Sequence, residues 1–483
     1  MCCSARNTPY CALASIHCLI APFVLLVALS ITAAAGAMGS VSATDYPSLQ
    51  AAIDDNPGGV IHVPPGEYTI DAPLMIQHDR TVLEGFGRII QTNSDAAIVR
   101  IDHADHVVLR DLTLMRPADA PDTEHQGVYA EHSDSLRLEG LRVVDNHTRS
   151  SAIRLQSSSN GSITNCEIVN YKRVAIDDRT RSPLLGYAFQ CIDGTGIGVV
   201  DCVGTSILNN RVLENRMLPT REAAEKHQLG KLVEGQMETK FGELGLWVER
   251  AGRAQHWHQG SAILVSGPDS TAFTRISGNY IENAAQGIDI HSDNFICTEN
   301  TVNHAMMGMK AMHGSRNGIV ARNLFSYVDN WGIMVGPGTA SRPAQAAEGE
   351  QPARESNPDG AIVISGNVIS NFGRGHEFWN WGGDGPDAAV GAVIRIERGQ
   401  LASNPPLSDI LVEGNIITNF GKEGVLENGE VTHPKPRYRY TVLIDSPAAD
   451  SKETHYPVNV RIVDNLFDPG TDGICNVPLP ELN

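Results

Sequence analysis

Two short repeats laid end to end constrain this chain more than any other feature. QGIDIHSDNFICTENTVNHA is followed by MGMKAMHGSRNGIVARNLFSYV. Each opens with a Gly and an alternating run, Ile288-Asp289-Ile290-His291 in the first and Met309-Lys310-Ala311-Met312 in the second. Each closes on an Asn followed by apolar residues, Asn300-Thr301-Val302 and then Asn323-Leu324-Phe325. Asn279, Asn300 and Asn323 follow one another at a step of about 21–23 residues, a period that belongs to stacked repeat architectures. Alternation with period two means strands. The two repeats therefore read as two rungs of a parallel β-helix, with Asp289, His291 and Lys310 pointing out of it.

The same mark recurs along the chain. Further rungs are expected at 106–115, 126–146, 151–170, 174–215, 261–283, 331–371, 393–419 and 440–467. One asparagine anchors each of eight rungs: Asn165, Asn210, Asn279, Asn300, Asn323, Asn367, Asn415 and Asn465. An inward Asn at a tight turn stacks on the Asn of the next rung and satisfies backbone groups, so these residues read as structure rather than chemistry. The expected architecture is all-β: a single-stranded parallel β-helix running from about Val60 to Phe467, in one domain spanning 44–483.

Where the step exceeds this period, an insertion rich in Gly, Pro and charge accounts for it. Aligned on the strand that holds Asp289, long segments precede it at 116–125, 217–259, 373–389 and 421–439. Others follow it at 178–195, 338–359 and 400–408. The Asn turn carries none. The insertions should therefore wall a groove whose floor is the two uninterrupted rungs, and binding residues favour loops held by a rigid scaffold. The segment 217–259 is helical in pattern, with Leu229, Val233, Met237, Phe241, Leu244, Trp247 and Val248 on one face. It is expected to lie along the wall or act as a lid.

Composition agrees with many short strands and tight turns, with 46 Gly and only 6% aromatic residues. The net charge of -19 argues against nucleic acid as a partner, because phosphate binding needs a basic surface. It leaves room for an acidic polymer held by a local basic patch. Residues 1–43 read as a signal peptide. Arg6 is their only charge, 18–37 is apolar and rich in small residues, and Val41-Ser42-Ala43 fits a cleavage site. The competing reading is an uncleaved anchor, since the apolar run is nearly long enough to span a bilayer. Cleavage would leave a secreted or periplasmic chain, read as a monomer without membrane attachment. Beyond the leader five cysteines remain, Cys166, Cys191, Cys202, Cys297 and Cys475, with no Cys-x-x-Cys spacing to mark a zinc site. Cys191 and Cys202 could pair; isolated buried thiols are the plainer alternative.

The N-terminal segment DYPSLQAAIDDNPGGVIHVPPGEYTI carries a more specific signal. Tyr46-Pro-Ser-Leu-Gln-Ala-Ala-Ile reads as a short amphipathic helix, stopped by Asn-Pro-Gly-Gly and followed by a strand and a Pro-Pro-Gly-Glu-Tyr turn. A solenoid needs such a cap over its first open rung. The segment resembles the opening module of pectate-lyase-like right-handed β-helix proteins. That resemblance implies a right-handed helix with an N-terminal helical cap, and it says little about substrate.

Alignment of the rungs places an outward column at Tyr129, Arg154, Leu264, Asp289, Lys310, Met334 and Arg395. A second column reads Glu131, Gln156, Ser266, His291, Met312, Gly336 and Glu397. Strands stack ~4.8 Å apart, so an acid, an imidazole and an ammonium converge at Asp289, His291 and Lys310. His313 lies just beyond, where alternation breaks. The plain alternative is an exposed Asp–Lys pair of small energetic consequence.

The run Asp-Ile-His-Ser resembles the Asp-Pro-His-Glu motif of mannuronan C5-epimerases, with Ile290 for the Pro, Ser292 for the Glu and Gln286 where that family has Tyr. C5 epimerisation and β-elimination share a first step, in which a cation neutralises a uronate carboxylate and a base removes the C5 proton. Lys310, with Asp289 beside it, is expected to stay charged and hold the carboxylate. His291 is expected to be the base, since imidazole titrates nearest neutrality. Asp289 would orient His291 or bind a cation, and Tyr129, Arg154, His313 and Arg395 would bind substrate. The function expected is that of a polysaccharide lyase or C5-epimerase acting on an acidic polysaccharide. Calcium is compatible with such enzymes, although no acidic loop repeat marks a site for it. Asp177-Asp178 resembles the paired aspartates of polygalacturonases and supports a hydrolase as the alternative, without its partner motifs. A non-catalytic carbohydrate-binding β-helix is the third.

Overall fold

The computed structural model describes residues 39–174, 192–215, 260–374, 392–399, 401–419, 425–427, 430–432, 436–446 and 455–478. The expected helical insertion at 217–259 and the Asp177-Asp178 pair lie outside these residues.

The described chain winds as a right-handed parallel β-helix with three strand columns. One column is a 13-stranded sheet running from Val41–Ser42 to Val458–Val463, one strand per rung. The other two are joined in a 21-stranded sheet. They join because three rungs run unbroken round the corner between them, as Tyr280–Ile290, Thr301–Met312 and Leu324–Gly336. These are the two uninterrupted repeats and the rung after them. The Gly that opens each repeat sits at that corner. A Cβ on Gly287 would lie 2.3 Å from the Gly308 carbonyl oxygen, and one on Gly308 2.2 Å from that of Gly332, so no side chain fits there. Inside, Ile288, Ile290, Met309, Ala311, Ile333 and Val335 are buried in one continuous apolar column.

The asparagine ladder forms as expected. Each Asn side chain in the series Asn210, Asn279, Asn300, Asn323, Asn367 and Asn415 donates to the Oδ1 of the next, at 2.9–3.0 Å, ending on Asn465. Asn165 is the exception. It adopts a left-handed turn, φ 55°, as does Asn209, φ 56°, while Cys166 takes the ladder position and donates its N–H to Asn210 Oδ1 at 2.9 Å. Cys166, Cys202 and Cys297 are free, buried thiols; Cys191 lies outside the described residues.

The N-terminal cap is the helix Leu49–Asp55, which starts later than Tyr46 because Ser48 is its N-cap, accepting from the Ala51 N–H at 3.1 Å. Its Leu49, Ala52 and Ile53 are buried. Gln50 clips the helix to the strand Leu74–Ile76 through both hydrogen bonds of Met75, at 2.8 and 3.0 Å. The strand Val41–Ser42 pairs with Ile61 and His62. Cleavage after Ala43 would remove that strand. No helix among the described residues is long and apolar enough to cross a membrane.

Candidate functional site

Parallel register decides which outward side chains meet. Asp289 pairs with Lys310 across adjacent rungs, in a column that continues through Met334 to Arg395 in one direction. In the other it passes Leu264, Gly198, Arg154, Tyr129 and Arg100. Asp289 Oδ2 lies 3.2 Å from Lys310 Nζ and its Oδ1 2.9 Å from His291 Nε2. The latter is an ion pair only when the imidazole is protonated. His291 Nδ1 faces the Ser266 hydroxyl at 3.2 Å. His313 closes the group, its ring edge-on to His291 with centroids 4.3 Å apart.

The site is more enclosed than an open groove floor. The Asp289 side chain is 7% exposed, and those of His291 and Lys310 14%. Met312 and Met334, which share the outward face, are buried too. Apolar side chains on that face favour cover over exposure to water, so the cluster is not the exposed Asp–Lys pair of the plain alternative.

Electrostatics separate the four groups. Burial is the largest influence on Asp289 and opposes its charge, but the neighbouring His291 and Lys310 together outweigh it and hold the carboxyl well below its usual range. His313 is pushed down to about 2, by burial first and then by repulsion from His291 and Lys310. It is therefore a neutral imidazole at any working pH. Its Nδ1 accepts the Ala340 N–H at 3.4 Å, which leaves the proton on Nε2 as a donor.

His313 has a left-handed backbone, φ 65°, and the insertion 338–359 holds it there. That insertion is a hairpin, bridged at Arg342–Asn357, Gln345–Arg354 and Glu348–Gln351. Asn357 Nδ2 donates to the His313 carbonyl at 3.0 Å. Asp359 Oδ1 accepts the N–H groups of Gly314 and Ser315 at 2.8 and 3.0 Å, and its Oδ2 accepts the Ser341 hydroxyl. Burial pushes the Asp359 carboxyl up to about 7, against these three donors. A folded pKa above the unfolded one means that the native state holds the proton more tightly. Stability from this group is then full below the ordinary carboxyl range and is lost as pH rises to about 7. Asp359→Asn keeps an acceptor for both N–H groups and removes the titration. Urea unfolding of the parent should weaken between pH 4 and 8 by on the order of a few kcal/mol more than that of the variant. Equal slopes would mean that Asp359 does not titrate in the fold.

Tyr129, Arg154 and Arg395 share the column but not the cluster. Arg154 stands three rungs from Asp289, about 14 Å, Tyr129 four rungs, about 19 Å, and Arg395 two rungs beyond Lys310, about 10 Å. Arg154 binds Gln156 Oε1 through Nη2 at 2.6 Å, and Tyr129 donates its hydroxyl to Glu131 at 2.8 Å. Arg395 pairs with Glu397 at 2.9 Å and covers the Trp331 ring at 5.3 Å. Sequence reasoning missed Asp359, which stands at the end of a long insertion, and Trp331, which sits in an apolar run of the strand Leu324–Gly336 where nothing marks it out.

No protein-family model and no curated protein matches the sequence. Among solved structures, the chain is similar to a PL6 alginate lyase in complex with a trisaccharide, at 12% identity over 90% of this chain and 80% of that one, TM-score 0.49. It is similar to the A-module of Azotobacter vinelandii mannuronan C-5 epimerase AlgE6, at 14% identity over 90% and 99%, TM-score 0.49. A third is the catalytic unit of a GH87 α-1,3-glucanase from Streptomyces thermodiastaticus, at 15% identity over 91% and 70%, TM-score 0.38. At these identities the likeness concerns the β-helix alone.

Proposed function

We propose that this protein acts on an acidic, uronate-containing polysaccharide by abstracting the C5 proton, as a lyase or a C5-epimerase. The observation that carries the reading is the convergence of Lys310, His291 and neutral His313 around the buried, ionised Asp289. Asp289 faces His291 Nε2 and fixes the imidazole so that Nδ1, beside Ser266, takes the proton. Lys310 neutralises the substrate carboxylate, which lowers the cost of the enolate-like charge. The Nε2–H of His313 donates to the oxygen where that charge develops. Arg154 and Arg395, along the same column, hold neighbouring sugar acids. The leader residues 1–43 support export, and the reading takes the chain as a monomer.

A hydrolase has less support. Glu397, a buried carboxyl pushed up by burial, is the acid-like counterpart to Asp289. The two stand three rungs apart, about 14 Å at the backbone, beyond the ~5–9.5 Å between paired glycosidase carboxyls.

Incubation with a panel of uronate polymers tests the reading. Absorbance from an unsaturated uronate reports elimination, and proton exchange at C5 reports epimerisation. Reducing ends without absorbance would make it a hydrolase, and silence on all three would leave a binding protein. On the active polymer, His291→Ala should cut turnover ~100-fold or more. Full activity in that variant would remove His291 as the base.

A further inference from the structure

At the far end of the same outward face, Asp102 ends the strand Val99–Asp102, and His103 follows it with a left-handed backbone, φ 52°. One rung on, Glu131 ends the strand Val128–Glu131, and His132 follows with the same φ of 52°. This repeated geometry stacks the two imidazoles, with centroids 4.6 Å apart and planes 22° apart. Asp102 Oδ1 sits 2.6 Å from His103 Nδ1. One ligand atom from each of Asp102, His103 and His132 lies within 4.8 Å of the other two.

The fold does not require these residues. The same turn position in the next two rungs holds Ser157, φ 48°, and Asp201, φ 54°. Glu131 is already engaged, by Arg100 and by the Tyr129 hydroxyl. Both imidazoles are largely exposed, 70% and 50% of the side chain, so an exposed Asp–His contact adds little stability.

We propose that Asp102, His103 and His132 form a binding site for a divalent transition metal of the zinc class. Two imidazoles and one carboxylate are the donor set such ions prefer over calcium or magnesium, which take oxygen. Ligand atoms less than 5 Å apart come within the ~2.0–2.2 Å bonding distance of a shared ion by small side-chain rotations. Three protein ligands leave at least one position for water or an acidic group from outside. Four to five rungs, about 19–24 Å, separate this site from Asp289, so it does not depend on the chemistry proposed there.

Calorimetric titration of the untagged full chain with Zn2+, and the visible absorption of bound Co2+, test the proposal. The control is His103→Asn with His132→Asn, because Asn tolerates the left-handed backbone and is a poor zinc ligand. The double variant should keep its circular dichroism and lose one equivalent of Zn2+ together with the Co2+ band. Asp102→Asn should weaken binding ten-fold or more. Equal stoichiometry and affinity in parent and double variant, whether both bind or neither does, would overturn the site.

Discussion

Asn300→Leu is expected to be among the most destabilising single substitutions in the column, although it keeps the branching and the number of side-chain heavy atoms. Asn300 Oδ1 accepts the Asn279 N–H at 3.0 Å and Asn279 Nδ2 at 2.9 Å. Its Nδ2 donates to the Ile276 carbonyl at 3.1 Å and to Asn323 Oδ1 at 2.9 Å. Leucine removes these four bonds, and the 3.5 Å contact of Nδ2 with Cys297 Sγ, at a buried position. Asn279 Nδ2 retains the Ile207 carbonyl at 3.0 Å, and Asn323 Oδ1 retains the backbone N–H of residue 300 at 3.0 Å. The Asn279 N–H and the Ile276 carbonyl lose the partners that the side chain gave them. Each buried group left unpaired costs ~1–3 kcal/mol, so the loss should reach ~4 kcal/mol once the weakened pairs are included. Asn465 lies at the end of the ladder and is only partly buried. The same change there should cost less than half as much. Thermal unfolding of the two variants makes the comparison, and equal, small shifts would show that the ladder does not hold the rungs together.

The fold was legible because a solenoid repeats its constraints. One Asn per rung, one Gly at the tight corner and alternating apolar residues recur until chance is a poor explanation. The slip at Asn165 has a physical cause. Two adjacent turn positions both accept Asn, one through a left-handed backbone and one through the ladder, as Asn209 and Asn210 show side by side. Where only one Asn is present, the sequence does not say which position it fills. The pairing of Asp289 with Lys310 was readable for the same reason as the fold, since parallel register fixes which outward residues meet. The place of His313 was not, because alternation stops where the strand ends and its direction depends on a left-handed turn. Asp359 reaches that turn from the end of a long insertion, and no local pattern announces a contact made across that distance. The burial of the cluster was hidden as well. It depends on what overlies the outward face, not on the strands that carry it.

Lys310→Ala is expected to fail twice, in stability and in turnover. Asp289 keeps its charge in a buried position because Lys310 and His291 offset the cost of burial. Without the ammonium, the carboxylate must take up a proton, draw water in or stay unpaired. Removing one partner of a buried pair typically costs ~3–5 kcal/mol. Turnover on the polymer should fall by ~100-fold or more, since the group that neutralises the substrate acid is gone. A double variant separates the two effects. Asp289→Asn with Lys310→Met removes both charges, preserves the packed volume and keeps an oxygen towards His291. Replacing a buried pair in this way is often neutral or stabilising, so the melting temperature should return close to that of the parent while activity stays lost. Stability recovered together with activity would show that the pair is structural only. A Lys310→Ala protein that melts like the parent would show that Asp289 is better solvated than its 7% exposure implies. The stable, inactive double variant is the result that places the chemistry at this rung, because there the fold is intact and only the charges are missing.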